Sequence, residues 1–275
     1  MRMNQIYLEP AALAEVLGRP DVRVVDTRAS LADGPGGRDM WAAGHVPGAV
    51  HADWIEDWGT TVDGVEGMLP EPEEFAKAMA RLGVGNDTLV VAYDDNSLFT
   101  ASRLAWALLH HGHQRVAILD GGFPAWQAAG LEVSTDQADG RPEPRDYRPG
   151  APQGMRREMD EVRALLGRDD VTLVDCRMEE TFAASEGRIP GANRLPSPSL
   201  IGEDGRFRRG EEVARLAADA GVDKDRPAVL YCGGGVSAAA VLIALRDAGF
   251  SDLALYDGSW SEWSQHADNP IQRHG

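Results

Sequence analysis

Cys232 closes a short apolar run, Val229-Leu230-Tyr231, and opens a glycine triplet, Gly233-Gly234-Gly235, that passes through Val236-Ser237 into Ala238-Ala239-Ala240. An apolar run, then glycines, then an Ala-rich stretch reads as strand, tight loop and helix. A cysteine at that junction meets the unpaired N–H groups of the first helical turn and the positive end of the helix dipole. Both favour the thiolate, which is the nucleophilic form of the sulfur. Glycines without Cβ atoms let the loop fold tightly so that its amides converge on one point. The pattern predicts a nucleophile at Cys232, cradled by Gly233, Gly234, Gly235, Val236 and Ser237. The alternative for such a residue is a small buried apolar group ending a strand.

Elements around this loop alternate in type. The second half of the chain predicts strands near 171–175, 192–195, 228–232 and 253–256, and helices near 158–167, 178–185, 211–220 and 236–248. Short β-branched strands alternating with helices specify an α/β fold, a parallel sheet with helices on both faces. In such sheets the ligand crevice lies beyond the carboxyl ends of the strands, which is where Cys232 falls.

The chain also repeats itself. Val25-Asp26-Thr27-Arg28 followed by Gly44-His45-Val46-Pro47-Gly48-Ala49 returns as Val174-Asp175-Cys176-Arg177 followed by Gly187-Arg188-Ile189-Pro190-Gly191-Ala192. Val90-Val91-Ala92-Tyr93 returns as Ala228-Val229-Leu230-Tyr231, and Asp120-Gly121-Gly122-Phe123-Pro124-Ala125-Trp126 as Asp257-Gly258-Ser259-Trp260-Ser261-Glu262-Trp263. Repeats of this length mean two copies of one domain, at 1–135 and 155–275, not a solenoid. The stretch 136–154, rich in Pro, Gly and charge, reads as the linker.

With 27 Lys and Arg against 44 Asp and Glu, the net charge is −17, which argues against nucleic acid or an anionic membrane as partner. An anionic substrate must then be drawn in by a local positive site. Residues 1–18 contain no continuous apolar core of a secretory signal, and no apolar stretch reaches the roughly 18 residues of a membrane span. Two cysteines are too few for a disulfide scaffold and fit a reducing compartment, so the expected location is the cytoplasm.

The blocks V-D-x-R, G-x-x-P-G-A, Y-C-x-x-G-V-S and Y-D-G-S-W-S-E-W, in this order, resemble the rhodanese family. Two copies with the loop cysteine only in the second resemble its tandem-domain sulfurtransferases, which act on thiosulfate or 3-mercaptopyruvate. The resemblance implies that Cys232 takes a sulfur atom from a small donor and passes the persulfide to an acceptor. That acceptor would be cyanide or a thiol, such as that of a thioredoxin-like protein. No metal or organic cofactor is implied, because the outer sulfur is itself the carried group. Amides aimed at that sulfur would act as an oxyanion hole does.

Several departures from the family pattern bear on function. The first copy has Asp94 at the cysteine position, in Asp94-Asp95-Asn96-Ser97-Leu98-Phe99, and is read as catalytically silent, its carboxylates repelling a persulfide. Leu98 and Phe99 are candidates for lining the donor site, with core packing as the alternative. Thiosulfate enzymes resemble C-R-K-G-V-T and mercaptopyruvate enzymes C-G-S-G-V-T. Here the loop has no cation, which favours mercaptopyruvate, but Gly234 replaces the serine of that pattern. His45, whose counterpart has been proposed to assist that serine, becomes a structural histidine. Thr181 stands where relatives carry an arginine for the donor, and the nearest replacement is Arg188, in a position where relatives have histidine. A guanidinium suits bidentate carboxylate binding, so Arg188 is either a donor contact or half of a surface ion pair with Glu180 or Glu186. Arg28 and Arg177 recur in both copies and read as structural ion pairs. Cys176 reads as a small packed residue, with a resolving thiol for Cys232 as the alternative. The tryptophans near the repeat ends, Trp126, Trp260 and Trp263, read as core.

Phosphatases and arsenate reductases share similar loops but need C-x5-R to hold a dianion, and Ala238 stands at that arginine position. A second alternative is a relay that takes sulfur from a protein partner and turns over small donors poorly, as the missing serine and arginine would suggest. A third is a purely structural tandem module, with no reactive thiol.

Overall fold

A computed structural model describes residues 6–30, 35–95, 98–138, 140 and 142–274; Asn96 and Ser97 of the first-copy loop lie outside them. The chain divides into two compact units. One comprises Met1–Thr60, Leu69–Gln153 and Glu203–Arg206; the other Thr61–Met68, Gly154–Gly202 and Phe207–Gly275.

Each unit is built on a five-stranded sheet in which every pairing is parallel. In the first, the order from edge to edge is Tyr7–Leu8, Val116–Leu119, Leu89–Tyr93, Val22–Asp26 and Val50–His51. In the second it is Arg156–Arg157, Leu253–Tyr256, Ala228–Tyr231, Thr172–Asp175 and Asn193–Arg194. The two orders match strand for strand, so the internal repeat is a repeat of topology. The central strands, Leu89–Tyr93 and Ala228–Tyr231, are buried along their whole length. That is why they are continuous apolar runs without alternation: both of their faces are covered. The helices that follow them, Phe99–His110 and Val236–Asp247, are apolar nearly all round and correspondingly buried.

Each sequence-predicted element of the second copy is present, as Met159–Arg163, Glu179–Ala183, Gly210–Asp219 and Val236–Asp247 among the helices. Unanticipated were the short edge strand Arg156–Arg157, the helix Ser259–Trp263 and an antiparallel ribbon pairing Gly187–Arg188 with Gln272–Arg273. The stretch read as a linker behaves differently from a free tether over 142–153. Arg145 donates to the carbonyl of Pro20 and the hydroxyl of Thr88 (3.0 and 3.1 Å), and Tyr147 is buried. The amides of Gly150 and Gln153 donate to the carbonyls of His111 and His110 (2.7 and 2.8 Å), so this irregular backbone is satisfied on the first unit. No described helix is long and apolar enough to cross a membrane.

Candidate active site

Cys232 follows directly on the central strand Ala228–Tyr231 of the second unit, is a free thiol and is 2% exposed. The next turn leads into the helix Val236–Asp247 through Gly235, which has φ 78°. An L side chain is strained at that angle, so this glycine is required by conformation. Gly233 and Gly234 have no such requirement. A Cβ built at either meets no described atom within 4 Å, so these two glycines leave open space beside the loop. Val236 is buried and Ser237 half-buried. The five residues predicted to form the cradle thus lie together around the helix N-terminus.

The first unit shows what the same strand–loop–helix can hold. Asp94 follows the central strand Leu89–Tyr93 as Cys232 follows its own, and its carboxylate accepts four hydrogen bonds. Leu98 N–H donates to Oδ1 at 2.8 Å; Thr100 N–H, Thr100 Oγ1 and Ala101 N–H donate to Oδ2 at 3.0, 2.9 and 3.1 Å. Complete burial nonetheless dominates and raises the Asp94 carboxyl to about 7. The donors of this loop thus converge on one polar group, supplied in the first copy by the protein's own side chain.

Beneath both loops lies the same buried network. In the second unit Arg177 Nε donates to both oxygens of Asp175 (2.9 and 3.1 Å), and the Tyr231 hydroxyl donates to Oδ2 at 2.8 Å. Arg177 also reaches the carbonyl of Gly187 (2.9 Å), and the Ile189 N–H donates to the Tyr231 oxygen (3.1 Å). The first unit repeats this with Arg28, Asp26, Tyr93, Gly44 and Val46. D-x-R and G-x-x-P-G-A are thus two halves of one structural ion-pair network. Burial pushes the Tyr231 phenol well up, so it stays a donor.

The remaining candidates are distributed as follows. Tyr231 pairs with Asp175 across the sheet, which brings the next residues, Cys232 and Cys176, side by side. Cys176 is fully buried, and burial, reinforced by Cys232, pushes its thiol well above the usual range. Arg188 lies half-buried on the ribbon with Gln272, and Glu186 is paired instead with Arg273 (3.6 Å). Among the described residues Arg188 makes no ion pair and no hydrogen bond to the Cys232 loop. Thr181 is exposed. Leu98 and Phe99 are 0% and 6% exposed, at the start of the helix whose amides hold Asp94. His45 stacks on Trp41 (4.2 Å between rings), with Nδ1 2.8 Å from the Trp41 carbonyl; it is a structural histidine. Trp126, Trp260 and Trp263 are buried.

Two groups escaped the sequence reading. Arg194 bridges Asp175 and Glu179 (3.4 and 2.9 Å) and lies over the Phe182 ring at 3.7 Å. In the helix Ser259–Trp263, Ser259 Oγ accepts the Cys232 N–H (3.1 Å) and donates to the Tyr256 carbonyl (2.9 Å). The Trp260 N–H donates to the Cys232 carbonyl (3.0 Å). Both the N–H and the hydroxyl of Ser261 donate to the Gly233 carbonyl (2.8 and 2.7 Å). A serine in G-S-W-S-E-W carries no sign of a partner some 28 positions upstream.

This fold and loop define a class. The rhodanese-like domain model matches the chain twice, over residues 9–129 and 158–266. The 3-mercaptopyruvate sulfurtransferase of Escherichia coli K12 is 34% identical over 94% of this chain and 95% of its own length. The thiosulfate sulfurtransferase of Cricetulus griseus is 33% identical over 90% of this chain and 86% of its own. The crystal structure of the E. coli 3-mercaptopyruvate enzyme SseA superposes with a TM-score of 0.84 at 30% identity, covering 93% of this chain and 99% of that one. The chain belongs to the rhodanese family. Within that family it is a sulfurtransferase with two rhodanese-like domains.

Proposed function

We propose that this sulfurtransferase carries sulfur as a persulfide on Cys232, with 3-mercaptopyruvate favoured over thiosulfate as donor and a thiol or cyanide as acceptor. The observation that carries this reading is the set of donors in the Asp94 loop: amides at these positions already converge on the carboxyl group of Asp94 in the silent copy. With cysteine in place of aspartate, the same shape would stabilise a persulfide anion. The Cys232 thiolate attacks the donor sulfur, an S–S bond forms and the donor C–S bond breaks. The electron pair leaves as the enolate of pyruvate, which takes up a proton. Attack of cyanide or a thiolate on the outer sulfur returns the Cys232 thiolate and releases thiocyanate or a new persulfide.

Donor preference rests on charge. Gly233 and Gly234 supply no cation for a dianion, whereas Arg188, free of ion pairs among the described residues, offers a planar partner for one carboxylate. A thioredoxin-like protein would serve as a natural thiol acceptor, and two free cysteines suit a reducing compartment such as the cytoplasm. A relay taking sulfur from a protein is supported by exposed Thr181 in the family's arginine position. Intact-protein mass spectrometry after incubation with each donor tests the choice. Gain of one sulfur from 3-mercaptopyruvate, absent in Cys232→Ser, is expected. Retained uptake in that variant overturns the mechanism, and uptake from neither donor favours the relay.

A further inference from the structure

The hydrogen bonds to Ser259 and from Trp260 and Ser261 form a clip along three successive peptides of the Cys232 loop. In a planar trans peptide the C=O and the following N–H point in opposite directions. Holding the carbonyls of Cys232 and Gly233 against the helix Ser259–Trp263 therefore turns the N–H groups of Gly233 and Gly234 to the other side. Neither of these amides has a hydrogen-bond partner among the described residues. A Cβ added at either residue meets no described atom within 4 Å, so neither glycine is closely packed. Two donors without a partner among the described residues thus follow directly on the thiol-bearing residue.

The silent copy lacks the clip. Its Phe123 N–H donates to the Asp94 carbonyl at 2.8 Å, as Trp260 does to Cys232, but the flanking residues are Gly122 and Pro124. Proline has neither N–H nor hydroxyl to offer, and glycine has no side chain. The backbone strain points the same way. Gly122 has φ 60°, whereas its counterpart Ser259, fully buried, holds φ 52°. A non-glycine residue in the left-handed region persists where its surroundings require it, and here the hydroxyl is what glycine could not supply.

We propose that Ser259 and Ser261 are positioning residues that aim the Gly233 and Gly234 amides at the sulfur carried on Cys232; this rests on the persulfide reading above. The test uses the full-length chain loaded with sulfur from 3-mercaptopyruvate or thiosulfate. It follows, by mass spectrometry, loss of the bound sulfur after donor removal, together with kcat and KM. Ser261→Ala is expected to shorten the persulfide lifetime and lower kcat, each about tenfold, with the donor KM unchanged. Ser261→Thr, which keeps the hydroxyl, restores both. Ser259→Gly, the residue of the first copy, relieves the strained φ but shortens the lifetime in the same way. A wild-type chain that takes up no sulfur overturns the persulfide reading and this inference with it. Normal uptake, with the same lifetime and kcat in Ser261→Ala as in wild type, overturns the inference alone.

Discussion

The Tyr231 hydroxyl donates to Asp175 at 2.8 Å and in turn accepts the Ile189 N–H at 3.1 Å, so the residue preceding Cys232 joins two separate segments of its unit. Phenylalanine at 231 would leave a buried carboxylate oxygen and a buried N–H each short of a partner. A bond to a charged group is worth about 1.5–3 kcal/mol, and Tyr231→Phe is expected to cost about that much. Urea denaturation checks it; an unchanged midpoint would show that water replaces the hydroxyl.

Arg177 and Arg188 are expected to separate cleanly. Arg177 and Asp175 are both fully buried, so Arg177→Ala leaves the Asp175 charge with Arg194 at 3.4 Å as its remaining cation and costs about 3 kcal/mol. Arg188 is half-buried without an ion pair among the described residues, so Arg188→Ala should leave the melting temperature near wild type. It should raise KM for a carboxylate donor more than for thiosulfate. Equal effects on both donors would remove Arg188 from the donor site.

Asp94 makes stability depend on pH in a definite direction. Its carboxyl titrates near 3.8 in the unfolded chain and at about 7 in the folded one, because burial disfavours the charge. The folded state then holds the extra proton between those values, so the stabilisation from this group is complete below about 4 and is lost as pH rises through 7. Thermal midpoints from pH 5 to 8 should fall in wild type and fall less in Asp94→Asn. Slopes are the quantity to compare, since asparagine also mismatches one of the four donors. Parallel slopes would locate the pH dependence elsewhere.

Cys176→Thr should keep sulfur uptake at Cys232. Threonine stands at the matching place in the first unit, where the Thr27 N–H donates to Tyr93 as Cys176 does to Tyr231, both at 2.8 Å. With its thiol pushed up by burial, Cys176 is a packed side chain and a poor nucleophile at neutral pH. Turnover that stops after one round in Cys176→Thr would instead make it a resolving thiol.

Much of this protein is local in its coding. Continuous apolar runs at 228–231 and 89–93 specify buried parallel strands, glycine at 235 marks a left-handed turn, and the ordered blocks reveal a duplicated domain. Each of these depends on residues within a few positions of one another, so the chain itself determines them. The place of Cys232 at the end of a central strand follows from the same local pattern.

What only the tertiary structure decided is where hydrogen-bonding directions meet across long separations. The pairing of Ser261 with Gly233, of Arg194 with Asp175 and Glu179, and of Gly150 with His111 joins segments that nothing nearby in the chain connects. Such contacts require remote backbone groups to arrive with a fixed orientation, and that orientation comes from sheet register and packing, not from residue type.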